Sequence, residues 1–301
     1  MGYLFLAFAV GGNLLKAFSG KKTSGFMKTI LDAFSFSTIR LGLSALFGIL
    51  FMLPDLFRNG LSVMALDLNL LPTYLLSAIA NAGMVITWLL FIRSGVLVLM
   101  DVSALCGCLI PLILSRIFYF ELIKPTHIIG LVVLFGAVLL MASYNNSIKA
   151  KLNAKSILLL FGFGISSGFI DFSQKLFRKQ TLNNVPSSVF NFYTLLFAFV
   201  ILLIILIVMR TAKDKEDAKL EIKPKALLHI SLMAVGLCIV TLFKTLAAGH
   251  LPSALVFPFF QSSAIISNAI LGAICFKERI SFKSVAGLTL MALGLVIMNF
   301  L

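Results

Sequence analysis

The chain has 301 residues, 60% hydrophobic and 12% charged, with a mean hydropathy of +1.08; a water-soluble fold cannot hide that much apolar surface, so a bilayer must cover the rest. The net charge of +14 does not signal nucleic acid, because the basic residues sit in short loops between apolar runs and not on one soluble face. Those runs are about twenty residues long, the length that crosses a hydrocarbon core as a helix, and none alternates like a strand of a membrane barrel.

The first predicted span covers 2–18. It lacks a basic n-region and a small-residue cleavage site, which marks a mature helix and not a signal peptide. The second covers 33–53 and stops at Pro54, and a weakly polar connector follows over 54–69. The third, 71–92, and the fourth, 95–118, are separated by little more than Arg93-Ser94-Gly95. Pro125 opens the fifth, 126–144, at a helix start where a missing N–H costs nothing. The polar, basic stretch Asn145–Lys155 links two halves, 1–150 and 151–301. The sixth span is 156–174, and the seventh, 187–209, begins after Pro186. Arg210–Lys225 is strongly charged, and is too short and polar to be a domain. The eighth, ninth and tenth spans are 226–248, 252–275 and 283–300. The fold class this predicts is an all-α integral membrane protein with ten transmembrane helices. Cys106, Cys108, Cys238 and Cys275 fall inside apolar runs as small core side chains, with neither zinc spacing nor a disulfide framework. No metal and no cofactor is expected.

A shift of 157 positions overlays the fourth and fifth spans on the ninth and tenth. The identities are Ile113/Ile270, Leu114/Leu271, Ile117/Ile274, Glu121/Glu278, Ile123/Ile280, Gly130/Gly287, Leu131/Leu288 and Met141/Met298. Apolar matches alone mean little between Leu- and Ile-rich helices. A Glu at the same corner, followed nine residues later by a Gly, means more. Each repeat holds five spans; five is odd, so the second copy enters the membrane from the opposite side. Two inverted five-helix repeats suit alternating access, a use that neither a pore nor an anchor requires.

With these features the chain resembles the drug/metabolite transporter superfamily, and within it the EamA-like branch. The resemblance covers all ten spans. It is carried by the corner FYFELIKPTHIIGLVVLFGAVLLM, the corner ICFKERISFKSVAGLTLMALGLVIMNF, and Leu251-Pro252-Ser253-Ala254 opening the ninth span. Glu121, Glu278, Gly130, Gly287 and Arg40 match the family pattern, whereas Pro125 and His127 replace the more usual polar entry to the fifth span. The resemblance implies an exporter or exchanger (antiporter) of amino acids, related metabolites or nucleotide-linked sugars, often coupled to protons. The setting it implies is a multi-pass protein of the bacterial inner (plasma) membrane.

Most Lys and Arg lie in loops or at span edges, but Lys16, Arg40, Lys175 and Lys244 are embedded, as are Asp101 and Asp171. A charge at a helix centre costs about 2.5–3.5 kcal/mol on the insertion scale, so such groups face the bundle interior, a partner or water. Lys16 can snorkel to the interface or serve a site. Arg40 reads equally as structural glue or as a site residue. Asp171 and Lys175, four apart on one helix, are placed to neutralise each other or to contact substrate. Asp101 has no embedded base within four residues and must find a partner on another helix or carry a proton, because burial disfavours the charged form. It and Lys244, deep in the eighth span, are the leading candidates for substrate binding or coupling. The repeat shift sets Asp101 opposite Pro258 and Thr87 opposite Lys244, so the halves differ chemically at equal depth. The excess of embedded base points to a carboxylate or phosphate, while Asp101 with Lys244 would suit a zwitterion. Asn81, Trp88, Gln174, Tyr193, Gln261 and Asn268 are second-tier polar handles, read also as interhelical hydrogen bonds. Pro111 and Pro258 are hinge candidates, since an interior proline frees a carbonyl and bends its helix.

Odd-numbered loops hold 16 bases and even-numbered loops 5, which places odd loops in the cytoplasm and both termini outside, whereas the resemblance implies cytoplasmic termini. The expected function is secondary active transport of small polar metabolites, anionic or zwitterionic, with protons as a coupling partner. The alternative is a flippase for a lipid-linked sugar or other polar lipid. An enzyme is not expected, because no paired acids, HExxH or nucleophile motif occurs. The expected partners are lipid and a small molecule; oligomeric state is left open.

Overall fold

The computed structural model describes residues 1–27, 29–92, 97–143, 154–181, 185–211, 224–277 and 282–300, in which every regular element is helical. The helices are α1 (Gly2–Ser24), α2 (Ile30–Asn59), α3 (Leu71–Ile92), α4 (Leu97–Gly107), α5 (Leu109–Tyr119), α6 (Pro125–Ser143), α7 (Ala154–Thr181), α8 (Ser187–Thr211), α9 (Pro224–His250), α10 (Ser253–Phe276) and α11 (Phe282–Phe300). Helices α1, α2, α3, α7, α8, α9 and α10 each hold a stretch long and apolar enough to cross a membrane; the fourth span, α6 and α11 are shorter apolar helices. Single 3₁₀ turns at Leu61–Met64 and Leu68–Leu70 carry the chain from α2 to α3.

Two boundaries differ from expectation. Helix α2 does not stop at Pro54 but runs through it to Asn59. A proline removes one intrahelical bond, which a membrane helix tolerates, and the stop comes instead from Gly60, whose φ of 74° only glycine adopts cheaply. At its other end, Thr29 and Asp32 form a reciprocal cap, with Asp32 N donating to Thr29 Oγ1 at 3.0 Å and Thr29 N to Asp32 Oδ2 at 2.8 Å. The fourth span is not continuous but breaks between α4 and α5 at Cys108. Pro111 explains the break, since it cannot donate to the carbonyl of Gly107 four residues earlier. Gly107 also lies hard against Gly164 and Gly168 of α7, where a β-carbon on any of the three would meet backbone.

The two halves are inverted copies. Two equivalent pairs pack side by side and run in opposite directions: Gly42 and Gly48 of α2 face Phe199 and Phe192 of α8, and Gly130 and Leu134 of α6 face Met298 and Gly294 of α11. Exchanging each span with its counterpart carries α1–α9 packing onto α7–α3, α2–α9 onto α8–α3, and α1–α10 onto α7 with α4 and α5. The register is the 157-residue shift. Phe120 and Lys277, the described non-glycine residues with positive φ (53° and 52°), are separated by that interval and end α5 and α10 identically. Lys22 stands 5.5 Å from the Phe276 ring, and its equivalent Lys179 stands 5.6 Å from the Tyr119 ring. The expected division at 150/151 lies outside the described residues, as does Glu278.

Candidate functional site

Among the described residues two buried ionic centres lie between the helices, with pairings that differ from the sequence expectation. Asp171 and Lys175 do not neutralise each other. Lys244 Nζ of α9 reaches Asp171 Oδ1 of α7 at 2.5 Å, with both side chains buried. The ammonium also lies 4.8 Å from the centroid of Phe260 on α10, a cation–π contact. Asp171 Oδ2 and both side-chain heteroatoms of Gln174, one turn further along α7, have no hydrogen-bond partner among the described residues. Gln261 of α10 donates to Ser167 Oγ at 3.4 Å on the same face of α7. The result is a polar seam inside the bundle, shared by α7, α9 and α10.

Lys175 belongs to a different unit. Its Nζ pairs with Glu121 Oε1 at 2.6 Å and donates to the carbonyls of Ala248 and Leu251 at 3.0 and 2.9 Å. A cation here completes carbonyls that the end of α9 leaves open. Glu121 Oε2 in turn accepts from Ser253 N at 2.8 Å, the first residue of α10, and Ser115 and Ser253 hydroxyls meet at 2.7 Å. Glu121 therefore clamps the corner after α5 to α7 and to the α9–α10 junction. The repeat had marked Glu121 as a fold feature only; its ligands could not be read from that.

Arg40 on α2 is buried, at 8% exposure, and no ion pair to it forms among the described residues. Its Nε is without a hydrogen bond. It borders a small hollow between α1, α2, α3 and α9, together with Thr23, Ser37, Trp88 and Met233. The equivalent place in the second half is filled. Phe197 stands where Arg40 does, and it packs with Tyr193 against a cluster of Leu70, Tyr74, Phe177 and Phe190. Thr73 and Gln180 close the same region with a 2.6 Å hydrogen bond. Tyr193 donates to the Met64 carbonyl, and Ser188 to Asp55 Oδ2 at 2.5 Å. The helices repeat the difference: α7 packs on α9, whereas their counterparts α1 and α3 barely touch among the described residues.

The remaining candidates are dispersed. Asp101 lies on α4, but its side chain falls outside the described residues. Lys16 of α1 stands against Gly236 of α9. Asn81 donates to Ser77 O of its own helix at 2.8 Å, and Asn268 accepts from Asn13 of α1 at 3.4 Å. Pro111 follows the break in the fourth span, and Pro258 is buried within an uninterrupted α10. Phe260, Thr23 and Ser37 were not singled out from sequence, because nothing distinguishes them from ordinary lining residues until the helices are packed.

The comparisons agree with this architecture. Residues 154–300, nearly the whole second half, match the model of the EamA-like transporter family. A solved structure described only as a crystal structure of a protein superposes with a TM-score of 0.74 at 12% identity, covering 99% of this chain and 96% of that one, a likeness that shows the fold alone. No curated protein matches.

Proposed function

We propose that this chain, whose residues 154–300 match the EamA-like transporter family, is a secondary active exporter or exchanger of small polar metabolites working by alternating access. One observation carries the reading: the inequality of the two ends in an otherwise symmetric bundle. On the side of the α7–α8 and α9–α10 connections, Asp171–Lys244 ties α7 to α9 and an aromatic cluster fills the space. On the other side, α1 and α3 stand apart beside Arg40. Inverted repeats can exchange such unequal conformations, which would open the interior to each side in turn. Asp171 and Lys244 are in this reading the latch of the sealed end and part of the substrate path.

The test is counterflow in proteoliposomes preloaded with amino acids and organic acids. Asp171→Asn and Lys244→Met should each lower exchange at least tenfold in protein that remains folded. Full exchange in both variants would remove the latch, and lipid scrambling without saturable uptake of any soluble compound would favour a flippase instead. Proton coupling, in this reading, falls to Asp101 on α4. Asp101→Asn should abolish uptake driven by a pH gradient while sparing counterflow; undiminished pH-driven uptake removes it as the carrier.

A further inference from the structure

The ammonium of Lys175 sits in a socket of three oxygens: Glu121 Oε1 at 2.6 Å and the carbonyls of Ala248 and Leu251 at 3.0 and 2.9 Å. The sequence leaves both carbonyls open. The residue placed to donate to Ala248 O, four positions on, is Pro252, which has no N–H. The residue placed to donate to Leu251 O is Leu255, whose N–H goes instead to Pro252 O at 3.0 Å. The carboxylate is held without help from Lys175, because Glu121 Oε2 accepts from Ser253 N at 2.8 Å. The Lys175 side chain is only 5% exposed and that of Glu121 13%, so bulk water has little access to the socket. An ammonium carries three N–H donors, and three oxygens receive them. Convergent oxygens, one of them charged, at the end of a helix whose dipole favours a cation are also the ligands that a dehydrated monovalent metal ion takes.

We propose that this corner is a monovalent-cation site and that Lys175 is its resident ion, tethered to α7. The oxygens stand off at a separation that suits an ammonium or a potassium ion and is wider than sodium prefers. In the register of the repeat, the place of Lys175 is held in α1 by Phe18, which packs on Phe276 at 5.7 Å. The ammonium is therefore a feature of the second half and not of the fold. Lys179 is a spare cation at the rim, 41% exposed, 3.9 Å from Glu121 Oε1 and 5.6 Å from the Tyr119 ring. With its socket filled from within, the native protein takes no ion from solution at this corner. Emptied of the side chain, the socket is a charged, preformed cage that an inorganic cation can enter. This inference goes beyond the transport reading and does not depend on it.

The test is the thermal midpoint of the purified full-length protein in choline chloride and in potassium chloride at equal ionic strength. The native midpoint should be the same in both. Lys175→Ala combined with Lys179→Gln empties the socket and removes the spare cation, and its midpoint should fall in choline chloride. Potassium or ammonium should then raise it by about 3 °C or more, saturating with concentration, and sodium should raise it less. Lys175→Met, whose side chain fills the space, should fall and stay down in potassium. Adding Glu121→Gln to the emptied variant should abolish the rescue. An emptied variant that melts alike in potassium and choline overturns the proposal, as does one that cannot be obtained folded even in potassium. A native midpoint that responds to potassium as the variant does overturns it too, since the socket would not be filled by Lys175. None of these readouts involves transport, so a failure to exchange any solute would sink the proposed function and leave the site standing.

Discussion

At the scale of single residues, the embedded charges were legible because a charge is conspicuous in an apolar run, but their partners were not. Asp171 and Lys175 are neighbours on one helix turn, and proximity alone favours their pairing. That pairing loses because Lys175 is offered a carboxylate and two open carbonyls at the end of α9, while Asp171 is offered Lys244. These partners come from helices distant in sequence, where periodicity carries no information. Removing one member of a buried pair strands the other, typically at about 3–5 kcal/mol, whereas replacing both with apolar residues is near neutral. Asp171→Asn should therefore lower the thermal midpoint, and Asp171→Leu with Lys244→Met should restore it without restoring exchange; a double variant that transports normally would reduce the pair to a packing device. Lys175→Met should destabilise comparably in a thermal-shift assay, by freeing Glu121 and the carbonyls at the end of α9 together.

At the scale of elements, nine of the ten spans were found as single helices near their expected positions, because apolar length is a strong signal. The ends were weaker. Helices α1 and α7 run on past the expected ends at 18 and 174 to Ser24 and Thr181, carrying Lys21, Lys22, Arg178 and Lys179 in their last turns, where cations suit the helix dipole. Charge ends the apolar run in the sequence but does not end the helix. The break in the fourth span was half legible: Pro111 was marked as a bend, but the place of the bend depends on which carbonyl it orphans and on the contact of Gly107 with α7. Gly107→Val should cost about 1–3 kcal/mol, as overpacking does, seen as a lower thermal midpoint. Pro111→Ala should leave the midpoint unchanged or raised and slow exchange, if the break serves as a hinge; unchanged exchange would make it a packing feature.

At the scale of the molecule, inversion was legible from an odd number of spans, and antiparallel α2–α8 and α6–α11 pairs bear it out. Which end the aromatic cluster fills was not legible, because that depends on Phe197 and Tyr193 meeting side chains from α3 and α7. The same interleaving governs how the protein can be made. Helix α1 packs most extensively on α9, and α6 on α11, so the half synthesised first has few of its final neighbours until the second follows. At roughly 5–20 residues per second of synthesis, α1 waits on the order of tens of seconds for α9. Fragments 1–150 and 151–301 expressed separately should each be degraded, and should accumulate when expressed together.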